Sequence, residues 1–414
     1  MTFGAPAPLT SEGIVPTAPA ESTCLTRKRV AVVMGTRPEA IKMAPVVHAL
    51  RASDEHFETI VVATAQHRQM LDQVLSIFQI RPDIDLNLMR QNQSLSELAA
   101  RVLTTMDETL RELKPDLLMV QGDTTTVLAT AIAAFHLGIP VAHVEAGLRS
   151  HDMRNPFPEE MNRRLTSVLT EVHFAPTPLA RRELLHEGVA PERIIVTGNT
   201  VVDALEDLLK APFDLQGSPL AGIPFEGHRV LVVTSHRRES WGQDLENTCL
   251  AIRDLIERFP DLLVVYPVHL NPNVRKTVMT LLGDGERIHL TEPLDYFAFV
   301  NLMRRCHLIL TDSGGVQEEA PTLGKPLLVL RKLTERPEAF QAGLSKVVGN
   351  SRSAITEEAS RLLENEQAYA QMVSRVNPFG DGHAAQRITL ALERWRTGGT
   401  PLLSPVEQFH MAES

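Results

Sequence analysis

The sequence predicts an α/β fold of two doubly wound parallel-sheet domains in series, on three observations. Short runs rich in β-branched residues alternate with longer stretches of helical pattern, the signature of βα units. The rhythm breaks once, in a proline- and glycine-bearing segment from Lys210 to Gly227, and then restarts. The chain has 414 residues, enough for two or three domains with cores of their own at about 150 residues each.

The elements follow in order. Residues 1–26 hold four prolines in the first twenty positions and no Lys or Arg, so they read as a flexible tail and not as a signal peptide. Buried strands are expected at 29–34, 58–64, 115–121, 139–145, 172–176 and 193–198, with one more near Asp83 to Leu88. Helices fall between them at Pro38–Arg51, His67–Phe78, Ser94–Leu113 and Thr124–Leu137. The uncharged run from Thr124 to Val144 approaches membrane-spanning length. Its threonine cluster, two histidines and Gly138-Ile-Pro140 breaker make it a helix, a turn and a strand, and no membrane association is expected. After the linker, strands are expected at 228–235, 261–267, 286–290, 307–312, 325–330 and 346–349, then a helical end from Ile355 to Arg396. The expected domains are 27–208 and 209–375, with helix 376–396 returning to complete the first and 397–414 forming a polar tail. Open α/β sheets bind ligands beyond the carboxyl ends of their strands, so a cleft between the two domains is the expected site.

Several function classes drop out. With 41 basic and 51 acidic residues the net charge is -10, the wrong sign for a nucleic-acid partner. Cys24, Cys249 and Cys306 are odd in number and scattered, which fits a reducing compartment and a cytoplasmic location. The spacing of the dinucleotide fingerprint occurs only at Gly380-Asp-Gly-His-Ala-Ala385, where the preceding Asn377-Pro-Phe is no strand. There is no G-x-x-x-x-G-K-[ST] and no G-x-S-x-G elbow, so neither NAD nor ATP chemistry is favoured. His143-x-Glu145 and His269 lack neighbours at metal spacing; no metal and no cofactor is expected.

Two strand-to-helix turns are candidate anion sites. In Met34-Gly-Thr-Arg-Pro-Glu39, Pro38 suits the first helical position and Arg37 adds a charged fork. In Thr311-Asp-Ser-Gly-Gly-Val-Gln-Glu-Glu319, two glycines allow a ligand close to the backbone, and Glu318 or Glu319 could accept ribose hydroxyls. The alternative for each is an ordinary packing turn. Glu335-Arg-Pro-Glu-Ala339 echoes Arg37-Pro-Glu-Ala40. Asp123 and Glu145 sit just beyond expected strands, and Glu159 and Glu160 start a helix. Acids crowded in a cleft could exchange protons with a substrate. Otherwise Asp123 caps the next helix and Glu159 and Glu160 complement a helix dipole. His236-Arg-Arg-Glu239 could assist a departing phosphate or be a plain loop.

Taken together, the blocks GTRPEAIKMAP (35–45), TAQHRQMLD (64–72), QGDTTTVLAT (121–130), HVEAGLRS (143–150), PFPEEMNR (156–163), TGNTVVDAL (197–205), HRRESWG (236–242), YPVHLNPNVR (266–275) and LTDSGGVQEEAPTLGKP (310–326) resemble the bacterial non-hydrolysing UDP-N-acetylglucosamine 2-epimerases. The resemblance runs from about Arg29 to Leu392. It implies two Rossmann-like domains facing across a GT-B-like cleft, and cofactor-free interconversion of UDP-GlcNAc and UDP-ManNAc. UDP would be expelled to leave 2-acetamidoglucal and then re-added, supplying precursors for cell-surface polysaccharide. By position, Asp123, Glu145, Glu159 and His236 would be catalytic. Arg37, Lys42, Ser313, Gly314, Gly315, Glu319 and Arg336 would hold the nucleotide. Gln66, Gln69, Arg237 and His269 would form an activator site for UDP-GlcNAc, and a homodimer is the expected assembly. Ser235 departs from the Gly or Ala expected before the histidine, and residues 1–26 have no counterpart. A GT-B glycosyltransferase, a hydrolysing epimerase and a sugar-nucleotide sensor are the rival readings.

Overall fold

Continuous apolar runs, buried on both faces, become the strands of two parallel sheets. The computed structural model describes residues 27–64, 68–90, 93–235, 237, 241–332, 334, 336–373 and 376–410. Its first unit runs β1 (Lys28–Met34), α1 (Arg37–Ala52), β2 (Phe57–Ala63), α2 (Arg68–Ile77), β3 (Ile84–Asp85), α3 (Leu95–Leu113), β4 (Leu117–Gln121), α4 (Thr125–His136), β5 (Val141–Val144), α5 (Glu159–Leu169), β6 (Val172–Ala175), α6 (Pro178–His186), β7 (Ile194–Val196) and α7 (Thr200–Lys210). The seven strands lie in the order β3-β2-β1-β4-β5-β6-β7. The order reverses between β1 and β4, whose carboxyl ends carry Gly35 and Asp123.

The second unit runs β8 (Arg229–Thr234), α8 (Gln243–Arg258), β9 (Leu262–Pro267), α9 (Pro272–Leu282), β10 (Ile288–Thr291), α10 (Tyr296–Arg305), β11 (Leu308–Thr311), α11 (Gly314–Glu319), β12 (Leu327–Val329), α12 (Pro337–Gln341), β13 (Ser345–Val347), α13 (Arg352–Glu364) and α14 (Glu366–Val373). Its order, β10-β9-β8-β11-β12-β13, repeats the first design, and the reversal between β8 and β11 places Ser235 beside Asp312. The chain closes with α15 (Ala384–Arg396), which packs on α1 and α7 of the first unit. No helix among the described residues is long and apolar enough to cross a membrane.

Two expectations need correction. The stretch 397–414 is not a polar tail as far as residue 410. Leu402, Leu403 and Phe409 are buried, and the Phe409 N–H donates to the Val196 carbonyl at 2.8 Å. The linker is docked as well: Leu220 is fully buried, and Phe213 meets Phe297 of α10 edge to face at 5.4 Å. Isolated apolar residues among prolines and polar residues show no periodicity, so neither packing is visible as a pattern. Residues 1–26 lie outside the described residues.

Candidate functional site

At the end of β1 the chain must turn sharply against β2. Gly35 is required there, because a Cβ would stand 2.3 Å from Thr64 Oγ1. Thr36 then caps α1 in a capping box with Glu39, so the helix begins at Arg37 and Pro38 takes its second position. The buried Glu39 carboxylate accepts the Gly35 N–H at 2.6 Å and the Thr124 hydroxyl at 2.9 Å. It therefore ties the first turn to the one after β4. Burial pushes Glu39 above the usual carboxylate range.

Thr124, and not Asp123, is the cap of α4, accepting the Val127 N–H at 3.2 Å. Asp123 is thereby free to face the cleft. Arg163 of α5 holds its carboxylate with Nη2 at 2.6 Å and Nε at 3.1 Å, and the Asn162 amide donates to its carbonyl at 2.9 Å. Arg163 also binds Glu160, whose side chain is fully buried and also takes the Arg164 Nε at 3.0 Å. Glu159, one residue earlier, is only partly buried. Burial raises it above the carboxylate norm, the Asp123 charge adds to that, and Arg163 and Arg237 oppose it. The paired acids thus divide: Glu159 belongs to the cleft and Glu160 to the scaffold.

Glu145 follows β5 with a left-handed φ of 64°, a strained conformation for a residue with a side chain. Its carboxylate is buried against the Lys42 ammonium and accepts the Gln121 amide at 2.9 Å. Burial raises Glu145, with Lys42 opposing. Two residues earlier, the buried His143 imidazole donates to the Gly122 carbonyl at 2.7 Å. Burial drives it down to about 4, so it stays neutral.

The second domain closes the other side. Asp312, fully buried, accepts the Ser235 hydroxyl at 3.1 Å and the Arg237 N–H at 3.0 Å. It therefore fixes the chain on both sides of position 236. His236 itself, Gln66 and the side chain of Gln69 lie outside the described residues. Arg237 reaches over the start of α11, where a Cβ on Gly314 would lie 3.9 Å from its Nη2, and it acts electrostatically on Glu159. A Cβ on Gly315 would likewise meet no described atom outside the local helix backbone closer than 3.9 Å, the Ser313 Oγ, so on that side the described residues leave the α11 turn accessible. Ser313 starts that helix without a side-chain cap bond. Glu319 accepts the Tyr296 hydroxyl at 3.0 Å and is raised by burial to about 7. His269 is exposed, its Nδ1 accepting the Asn271 N–H at 3.1 Å.

Lys42 and Arg336, expected to grip a nucleotide, are engaged by carboxylates in this arrangement. Lys42 pairs with Glu145 and with Glu318 at 3.1 Å, and Arg336 pairs with Glu318. The reason is burial, since a cation removed from water needs a counter-charge. Arg37 remains exposed, within electrostatic reach of Glu319.

The sequence profile of the UDP-N-acetylglucosamine 2-epimerases matches residues 48–393. The chain belongs to this family. The UDP-N-acetylglucosamine 2-epimerase of Escherichia coli K12 is 52% identical over 373 residues, covering 89% of this chain and 99% of its own length. The crystal structure of the UDP-GlcNAc 2-epimerase from Neisseria meningitidis bound to UDP-GlcNAc superposes with a TM-score of 0.82 at 47% identity, covering 88% of this chain and 99% of that one. That from Methanocaldococcus jannaschii, in complex with UDP-GlcNAc and UDP, gives 0.74 at 33% identity, over 90% of this chain and all of the other, 100%.

In this epimerase-family chain, three further side chains are built into the candidate site without having been assigned a role from the sequence. Arg163 orients Asp123, Gln121 holds Glu145, and Glu39 locks the two turns together. Only Glu39 had a local signal, the Thr36-x-x-Glu39 spacing of a capping box.

Proposed function

We propose that this chain interconverts UDP-GlcNAc and UDP-ManNAc by eliminating and re-adding UDP, with no added cofactor. The observation that supports this most is the convergence of Asp123, Glu145 and Glu159 at one sheet edge, opposite the open α11 turn of the second domain. Inverting C2 demands proton removal on one face of the sugar and return on the other. That requires at least two separately held proton-transfer groups, for which carboxyls serve. Asp123 on its arginine and Glu145 on its lysine meet the requirement, and Glu159, with its raised proton affinity, is suited to carry a proton at the start of a cycle.

The C2 proton is not acidified by a carbonyl, so a direct abstraction has no stable carbanion to form. Breaking the C1–O bond to UDP in the same elimination gives neutral 2-acetamidoglucal instead. Arg37, Ser313, Gly314 and Gly315 would hold the diphosphate, Glu319 the ribose, and His236 would favour the departure of UDP. Lys42 and Arg336 would stand behind this grip, each paired with a buried carboxylate. UDP-GlcNAc bound near Gln66, Gln69, Arg237 and His269 would activate the enzyme, and Arg237, reaching toward Glu159, supplies the link. The product would feed cell-surface polysaccharide.

UDP-GlcNAc alone in heavy water should give a mixture with UDP-ManNAc carrying deuterium at C2, read by proton NMR. From pure UDP-ManNAc the reaction should lag until a trace of UDP-GlcNAc is added. Retained hydrogen at C2 would end the elimination reading. Free ManNAc accumulating with UDP would identify a hydrolysing enzyme, and turnover only with an acceptor a glycosyltransferase.

We also infer a homodimer. Helix α5 turns Glu160, Asn162, Arg163 and Thr166 inward and leaves Leu165 and Val168 outward, the latter 81% exposed. Phe135 stands exposed at the end of the neighbouring α4. An outward apolar face on an inverted helix fits a second copy. Light scattering should give twice the chain mass, and Val168→Glu should halve it.

A further inference from the structure

Lys42 sits in α1 between carboxylates from both domains, Glu145 of the first and Glu318 of the second. The Glu318 side chain is 1% exposed and holds three groups: Lys42 lies at 3.1 Å, Arg336 is paired with it, and the Asn199 amide donates at 3.2 Å, while the Asn377 amide donates to the Glu318 backbone carbonyl at 3.3 Å. Lys42, Arg336, Glu145 and Glu318 carry two charges of each sign, so the buried cluster is neutral when all are ionised.

Resting on the proton-transfer role of Glu145 given above, we propose that Glu318 is a positioning residue for Glu145. By sharing Lys42 across the domain boundary and occupying Arg336, it keeps Glu145 a competent base when the two domains face each other. The groups facing Glu145 are Lys42 from α1, Glu318 from α11 and Arg336 ahead of α12, with the neutral Gln121 amide from β4. Glu319 stands behind, facing Lys42. Lys42 is common to both carboxylates, so what Glu318 takes of its field Glu145 loses. Burial alone would lower Lys42 and raise Glu318; instead the opposite charges hold Lys42 above and Glu318 below their ordinary values.

The two ends of the cluster therefore give opposite signs. Glu318→Gln removes a negative charge, leaves Lys42 wholly to Glu145 and unmasks Arg336, so Glu145 should lose its proton at lower pH. Lys42→Met removes the positive charge, and Glu145 should keep its proton to higher pH. Each shift should be about one pH unit or more.

The test is an infrared titration of the carboxyl that disappears in Glu145→Gln, made on the full chain without turnover and compared with the acid limb of kcat/KM for UDP-GlcNAc. A downward shift in Glu318→Gln and an upward one in Lys42→Met are expected, while Glu318→Asp and Lys42→Arg stay near the parent. Unmoved titration in Glu318→Gln, or the same sign in both variants, overturns the proposal. Infrared shifts without a matching move of the kinetic limb would keep the coupling and remove Glu145 from the proton transfer, so failure of the underlying reading shows separately. If Lys42→Met does not fold, Glu318→Gln against Glu318→Asp decides alone.

Discussion

Asp123→Asn and Glu145→Gln should each lower kcat at least about 100-fold, the usual scale for a positioned acid or base. Both are nearly isosteric, so the loss is chemical. In Asp123→Asn the amide still meets Arg163 through its oxygen, at the distance now 2.6 Å, but it can no longer take a proton. In Glu145→Gln the amide oxygen can still accept from Gln121, while Lys42 keeps Glu318 as its counter-charge. UDP affinity, measured by calorimetry, should change much less than kcat in both, because neither carboxyl is assigned to the diphosphate. A kcat within a factor of three of the parent in both variants would remove them from the chemical step. A fall confined to UDP binding would make them nucleotide ligands.

The carboxyl ends of the strands were legible because periodicity and strand length decide where a parallel strand stops. That placed Asp123 and Glu145 at the edge of the first sheet. Which neighbour does which task was not legible. Asp123 and Thr124 are both good caps, and the choice of Thr124 becomes visible only when its hydroxyl is seen on the Val127 N–H. Glu318 and Glu319 are consecutive on a helix, about 100° apart, so one meets Lys42 and Arg336 while the other meets Tyr296. Arg163 lies 40 residues from Asp123, and no local pattern links them. The same holds for Lys42 and Glu318, whose contact exists only because two domains meet. Long-range ion pairs are products of assembly, and a motif shows one half of each.

The adjacent pair at the start of α5 gives the second large effect. Glu160 is fully buried and takes Arg163 at 3.2 Å, Arg164 at 3.0 Å and the N–H groups of Ser150 and His151 at 3.0 and 3.3 Å. It therefore staples the segment after β5 to the helix that carries Glu159 and Arg163. Glu160→Ala would leave Arg163 with Asp123 as its remaining partner beside a cavity, and two backbone donors unmet. Breaking a buried ion pair in this way costs about 3–5 kcal/mol. At roughly 2–4 °C per kcal/mol for a domain of this size, the first melting transition should fall by about 6–20 °C. Glu159→Gln should leave that transition within about 2 °C, since its carboxyl is only partly buried and what it gains from Arg163 and Arg237 is offset by burial and by the Asp123 charge. Its effect should appear in kcat instead. Equal melting temperatures for the two variants would mean that the neighbours do not divide the work, and α5 would then be held by its packing on α4 and its bonds to Asp123 and not by Glu160.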